Sequence, residues 1–309
     1  MSIVEKAGAN VLKTTFSKKA KKKKDKDKTE TAEEKLPTPR EPEMATLDFA
    51  QLAAQGFYDA KDPSSQLALE LRAVKRRLLR RIGYLRASGD RQAFRTPGKQ
   101  RNIILVTSTR AGEGKTFTAA NLALSFALED NIETLLVDAD FARPKIRARF
   151  NLPAAAGLAD CLLDKNLDAE ELGWRVKDSK LRILAEGARV DRPTDLFATA
   201  DSQRLWTGIA MAQPDRLVII DAPPVLATTD AVVLAKYADE IVFVVEANST
   251  PESAVAAAID ELIDVNPNVS IMLNRCQIGA GGAHYGSYEY YDRADSGEKP
   301  ETKKASSKD

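Results

Sequence analysis

Three short stretches of this 309-residue sequence carry residue types that can act on a phosphate. The first is Val106-Thr-Ser-Thr-Arg-Ala-Gly-Glu-Gly-Lys-Thr116, which follows the apolar run Asn102-Ile-Ile-Leu-Val106 and opens the amphipathic run Phe117 to Leu128. A strand, a glycine-bearing turn ending in Lys-Thr, then a helix is the setting of a phosphate-binding loop. Small residues let backbone N–H groups wrap phosphate oxygens, and the helix N-terminus adds partial positive charge. Lys115 would reach the β- and γ-phosphates, and the Thr116 hydroxyl would ligate Mg²⁺. The usual pattern places glycine where this chain has Thr109, so a chance glycine turn is the competing reading. The other two stretches are Leu135-Leu-Val-Asp-Ala-Asp140 and Leu217-Val-Ile-Ile-Asp221, each an apolar run ending in acid. A carboxylate buried there without a partner is costly, so it calls for a cation, and beside a phosphate loop that cation is Mg²⁺. Asp138 and Asp140 stand two residues apart and share a face if the strand continues. One can hold the metal or its water while the other accepts a proton from an incoming hydroxyl. Singly, each acid also reads as a cap or turn residue; three acids converging on one loop do not.

Elements must bring these residues together. Apolar runs at 102–108, 133–138, 181–184, 217–221, 240–246 and 269–274 alternate with helical patterns at 115–127, 202–211, 231–237 and 251–262. Continuous Val/Ile/Leu runs separated by helices predict an α/β fold: a doubly wound, mostly parallel sheet covered on both faces. Such sheets bind ligands at the carboxyl ends of their strands, where the polar residues of this chain collect. The reading divides the chain into a flexible Lys-rich region at 1–60, a domain at 61–276 with a helical entry at 64–86 and a core at 101–276, and a flexible Gly/Tyr-rich tail at 277–309. Asp62-Pro63-Ser-Ser65 reads as the start of the entry helix, with a cap and then proline in the first turn. Along it Leu67, Leu71, Val74, Leu78, Ile82 and Leu85 form an apolar stripe edged by Arg72, Lys75, Arg76, Arg77, Arg80 and Arg81. That is a docked helix with a wet basic face, or a surface for an acidic partner or neighbouring subunit.

Net charge is only +1 and hydrophobic content is 43%, which supports a sizeable core and argues against bulk nucleic-acid binding. Charge is uneven, however: residues 13–28 hold nine Lys and two Asp. With Ile3, Val4, Val11, Leu12 and Phe16 before them, these lysines could meet an anionic membrane surface. The Pro37, Pro39, Pro42 spacing reads instead as a solvated linker. No apolar run reaches the ~18 residues of a membrane span, and the N-terminus lacks the apolar region of a secretory signal. Cys161 and Cys276 lie in apolar runs and read as buried free thiols of a reducing cytoplasm. His284 is the one histidine, so neither a histidine triad nor a His-rich metal site can form.

Together, the 107–116 loop, Val137-Asp-Ala-Asp-Phe-Ala-Arg-Pro144 and Ile219-Ile-Asp-Ala-Pro-Pro-Val-Leu226 resemble the Walker A, Walker A′ (D-x-D-x-x-R-P) and Walker B motifs of the bacterial protein-tyrosine kinases, or BY-kinases. The resemblance spans about residues 65–291, and Asp-x-Asp-x-x-Arg-Pro is its most discriminating part. Glu70 to Leu79 and Gly187 to Leu196 are similar to the subgroup encoded with exopolysaccharide and exosortase systems. The resemblance implies a P-loop NTPase fold of the deviant Walker A kind, with ATP and Mg²⁺ as cofactors. It implies that Ala111, Gly112, Glu113, Gly114, Lys115, Thr116, Phe117 and Arg143 bind the nucleotide, with Asn274 and Arg275 beside the adenine. Thr116 and Asp140 would serve the metal, Asp221 through a water, and Asp138 would be the base for a tyrosine hydroxyl. Lys115, Asp138, Asp140 and Asp221 are thus the catalytic set.

The C-terminal stretch His284-Tyr-Gly-Ser-Tyr-Glu-Tyr-Tyr-Asp292 holds four of the seven tyrosines. Glycines before it and polar residues after it read as an exposed, mobile segment, or as a sticky low-complexity tail. By resemblance Tyr285, Tyr288, Tyr290 and Tyr291 are phosphoacceptors. Each phosphate adds about −1.5 to −2 charge, which would weaken assembly. The implied partners are a transmembrane activator of the polysaccharide chain-length type and further copies of the chain in a ring, at the cytoplasmic face of the plasma membrane. One departure touches assembly: where the family shows E-x-x-R-x-x-R, Glu70 and Arg76 fit but Ala73 holds the middle position. Two other functions compete. A partition- or division-site ATPase shares the fold, but its signature lysine position is Arg110 here. A non-catalytic nucleotide-binding scaffold sits poorly with the intact Lys115, Thr116 and three acids.

Overall fold

The computed structural model describes residues 44–84, 95–96 and 99–276. All lie in the compact unit Leu36–Asp309; a second unit, Met1–Lys35, falls outside the described residues. The lysine run and the four tail tyrosines are also outside them.

The described chain opens with β1 (Met44–Ala45), α1 (Phe49–Ala54), α2 (Gln66–Arg81) and the small hairpin β2 (Arg95–Thr96) and β3 (Lys99–Gln100). The first strand of the central alternation is β4 (Ile103–Ser108), then α3 (Lys115–Phe126) and β5 (Glu133–Asp138). Three short helices follow, α4 (Ile146–Arg149), α5 (Leu158–Leu163) and α6 (Ala169–Leu172), before β6 (Trp174–Val176) and β7 (Leu181–Leu184). The remainder is α7 (Pro193–Phe197), α8 (Ala200–Met211), β8 (Arg216–Asp221), α9 (Asp230–Ala235), β9 (Glu240–Glu246), α10 (Glu252–Ile263) and β10 (Val269–Asn274).

Eight strands form one sheet in the order β1-β6-β7-β5-β8-β4-β9-β10. Every pairing is parallel except β6 with β7. Side chains alternate between two cores: Ile104 and Val106 join one, Ile103 and Leu105 the other. The same division holds for Leu217 and Ile219 against Val218 and Ile220. Burial on both faces is why these strands read as continuous apolar runs. The doubly wound sheet is the one expected, and six of its strands lie on the expected runs.

Three expectations are corrected. The entry helix begins at Gln66, capped by Ser65, whose hydroxyl accepts from Ala68 N. Asp62 instead accepts from the Ser64 hydroxyl, which leaves Pro63 in the turn before the helix rather than in its first turn. Second, the region expected to be flexible to residue 60 is packed on the domain from Met44: β1 extends the sheet at β6, and Phe57 is buried. The Phe57 ring lies 5.3 Å from that of Phe117 and 6.3 Å from that of Phe150, and Tyr58 N donates to Asn121 Oδ1 of α3 at 2.6 Å. Third, Cys276 is exposed, just past the last strand; Cys161 is buried as expected, which pushes its thiol up to about 12.

Helix α2 docks by Leu71, Leu78 and Leu79, and its C-cap Ile82 is buried in the same core. Lys75 and Arg81 are pinned rather than wet. Lys75 is buried and donates to Ser125 O and Glu129, each at 2.9 Å. Arg81 pairs with Glu240 at 2.5 Å.

Candidate active site

Strands β5, β8 and β4 are remote in sequence but adjacent in the sheet. Their register aligns Asp221 with Asp138 on one side and with Val106 on the other. Pairing therefore gathers the acids and the glycine loop at one end of the sheet, as ligand sites in open α/β sheets require. The loop and the Pro223-Pro224 segment are also joined directly. Thr107 Oγ1 donates to Pro223 O at 2.6 Å, and Val225 N to Ser108 O at 2.8 Å.

Gly112 and Gly114 take positive φ, +97° and +104°. They make the wrap, and Thr109 has no such backbone, so no glycine is needed there. The side chain of Glu113 is buried and holds the loop from inside. Its Oε2 accepts from Arg110 N at 2.9 Å and its Oε1 from Thr250 Oγ1 at 2.6 Å. Asn274 Nδ2 donates to Glu113 O at 2.8 Å and lies where a side chain on Gly114 would have to go. Asn274 thus sits against the phosphate loop itself. Arg275 turns outward to Glu246 at 2.6 Å. Ala111 is exposed, and Phe117 faces Phe57.

Lys115 is buried and folds onto the acids: Nζ is 2.6 Å from Asp140 Oδ2, 3.5 Å from Asp221 Oδ1 and 3.4 Å from Thr116 Oγ1. Burial alone would drive off its proton, but Asp221 and Asp140 outweigh it and hold the ammonium above its ordinary value. Burial pushes Asp221 up to about 6 against the pull of Lys115. Asp221 Oδ2 is buried without a hydrogen-bond partner. The Thr116 hydroxyl and the Asp140 and Asp221 carboxylates, the latter with its orphaned Oδ2, are hard donors of the kind Mg²⁺ takes alongside nucleotide phosphates. Among the described residues no three His, Cys, Asp or Glu side chains form a metal cage by themselves. The residues therefore fit an ion shared with a phosphate.

Asp138 is fully buried and staples the following turn. Its Oδ2 accepts from Lys145 N and Ile146 N, each at 2.9 Å, and its Oδ1 from Asp140 N at 3.2 Å. Burial and the nearby Asp221 outweigh these donors and push its carboxyl up to about 8. Arg143 N donates to Asp140 Oδ1 at 3.1 Å, while its side chain is exposed. Sequence reasoning missed Thr250, which follows β9 at the same sheet end, and Glu186, which follows β7 and pairs with Arg147 at 2.8 Å. Their signal was position: both are polar residues just past strands that flank the site.

These parts define a P-loop nucleotide-binding protein of the three-acid kind. No known protein-family model matches the chain. The tyrosine-protein kinase YwqD of Bacillus subtilis (strain 168) is 31% identical over 202 residues, covering 65% of this chain and 82% of that protein. The tyrosine-protein kinase CpsD of Streptococcus agalactiae is 28% identical over 64% of this chain and 85% of its own length. The crystal structure of the VpsO kinase domain aligns with a TM-score of 0.53 at 30% identity, over 57% of this chain and 86% of that one. The chain belongs to the bacterial tyrosine-protein kinase family. It is a protein-tyrosine kinase that uses ATP. Among the described residues no helix is long and apolar enough to cross a membrane.

Proposed function

We propose that the chain transfers the γ-phosphate of ATP to Tyr285, Tyr288, Tyr290 and Tyr291 of its own or a neighbouring copy, and that this autophosphorylation controls exopolysaccharide synthesis and export. The observation that carries the reading is the Lys115 ammonium held between Asp140 and Asp221 at the foot of a glycine-wrapped loop. The N–H groups of 112–116 cradle the phosphates, and Lys115 moves from Asp140 to the β- and γ-phosphate oxygens. Thr116, Asp140 and Asp221 would hold Mg²⁺, which when bound would neutralise phosphate charge. The tyrosine oxygen bonds to the γ-phosphorus as the bond to the ADP oxygen breaks, and Asp138 takes the phenolic proton. Its Oδ1 accepts one long hydrogen bond and has a lone pair left for that proton. A tyrosine hydroxyl ionises near pH 10, so an acceptor raised toward neutrality suits the task.

A transmembrane activator of the polysaccharide chain-length type would bring the kinase to the cytoplasmic face of the membrane. The lysines of 13–28 would add attraction to anionic lipid, and copies of the chain would assemble into a homo-oligomer. Purified full-length protein incubated with Mg-ATP and the activator should acquire phosphotyrosine at 285–291. Replacing the four tyrosines with Phe should remove most of the label. Robust ATP hydrolysis without label would favour a nucleotide switch, and neither activity with the activator bound would favour a scaffold.

A further inference from the structure

The turn after Asp140 carries Arg143, Lys145, Arg147 and Arg149 and no acid. Arg147 is spoken for by Glu186. Arg143, Lys145 and Arg149 are exposed, and among the described residues their side chains make no ion pair. Some exposed cations elsewhere pair with acids, as Arg81 does with Glu240 and Arg275 with Glu246, and others such as Lys165 and Lys236 do not among the described residues; what sets this turn apart is four cations within seven residues and no acid among them. On a chain of net charge +1 this is a local excess, and it stands where an acceptor must approach. The backbone that presents these cations is hydrogen-bonded to Asp138 through Lys145 N and Ile146 N. The acid beside a tyrosine seated at Asp138 is one chain step, about 3.3–3.6 Å, from that tyrosine's own backbone, so it enters with the tyrosine on the side where this turn lies.

We infer that this turn is an acceptor-docking surface that reads an acidic side chain beside the tyrosine, so that the substrate class is an acidic tyrosine peptide. The inference rests on the kinase reading of the same site. Its occupant is the segment 284–292 of a second copy, whose acids are Glu289 and Asp292. Glu289 adjoins Tyr288 and Tyr290, and Asp292 adjoins Tyr291. Tyr285, in His-Tyr-Gly-Ser, has its nearest acid four residues away. Tyr288, Tyr290 and Tyr291 are therefore phosphorylated before Tyr285.

The test uses full-length protein with its four tail tyrosines changed to Phe, with and without Lys145→Glu and Arg149→Glu. The probes are a peptide of residues 282–293 and the same peptide with Glu289→Gln and Asp292→Asn. The unreversed protein should favour the acidic peptide about tenfold or more in kcat/KM, less as salt rises. The charge-reversed protein should lose that ratio, and a peptide with Lys at 289 and 292 should recover it. Equal use of both peptides by the unreversed protein, an unchanged ratio after reversal, or Tyr285 labelled first in the native chain would overturn the proposal. Fluorescence anisotropy with Phe in place of each peptide tyrosine reads docking without chemistry. Salt-sensitive binding lost on reversal supports the surface even if no peptide is phosphorylated, an outcome that would count against the kinase reading instead. Binding of the turn to phosphatidylserine vesicles but to neither peptide would also overturn the proposal.

Discussion

Changing Lys115 to Met should cost stability as well as activity, and the cost should depend on pH. In the protein without nucleotide the Lys115 ammonium faces two carboxylates, its side chain 7% exposed and those of Asp140 and Asp221 4% and 1%. Methionine keeps the length and removes the charge, leaving two acids facing each other out of water. Breaking a buried ion pair in this way costs about 3–5 kcal/mol. At ~2–4 °C per kcal/mol for a domain of this size, the melting temperature at pH 8 should fall by roughly 10 °C. A carboxyl raised by burial, as Asp221 is to about 6, binds its proton more readily folded than unfolded. Its stabilising contribution is full below the ordinary value near 3.8 and is lost as pH rises through about 6. Without Lys115 that loss deepens. The gap between variant and wild type should thus be widest at pH 8 and narrow toward pH 5, where Asp221 takes up its proton. Mg²⁺ alone should raise the melting temperature of the variant more than that of wild type, since no ammonium must be displaced. Differential scanning fluorimetry across pH, with and without Mg²⁺, measures all of this. A gap that does not change with pH, or a variant as stable as wild type at pH 8, would refute the account of the lysine as counter-charge to the acids.

Thr250→Val removes the hydroxyl that donates to buried Glu113; losing a hydrogen bond to a charged group, about 1.5–3 kcal/mol, should raise the KM for ATP about tenfold or more while kcat changes less. Phe57→Ala should destabilise the domain by about 3–5 kcal/mol in denaturant melts, because its buried ring packs on Phe117 and Phe150; a change under 1 kcal/mol would mean that residues 44–58 do not dock. With Asp138 raised to about 8, kcat/KM for a tyrosine peptide should climb with pH through that value as the base ionises. Asp138→Asn should abolish the climb with the activity, and a flat profile from pH 6 to 9 would remove Asp138 as the base.

The sequence by itself determined the sheet and the identity of the chemistry. Strands buried on both faces had to be uninterrupted apolar runs, and β5, β7 and β9 begin and end where those runs do. The phosphate loop was legible because its glycines, lysine and threonine are consecutive. Tertiary structure decided what depends on neighbours distant in sequence. Nothing local says that β8 lies between β4 and β5, yet that order sets Asp221 beside both the loop and Asp138. Thr250 reaches Glu113 from 137 positions away, and Asn274 reaches it from 161. Strands β1 and β6, two and three residues long, exist because a sheet edge offers them partners, and no periodicity shows in so few residues. Cys276 shows the converse: its run is apolar, but it follows an edge strand with Ile271 and Leu273 exposed, so composition suggested burial that packing does not supply. Sequence sets which groups can react and which segments must be buried; only the sheet order sets the distances between them, because that order comes from pairing segments the chain keeps far apart.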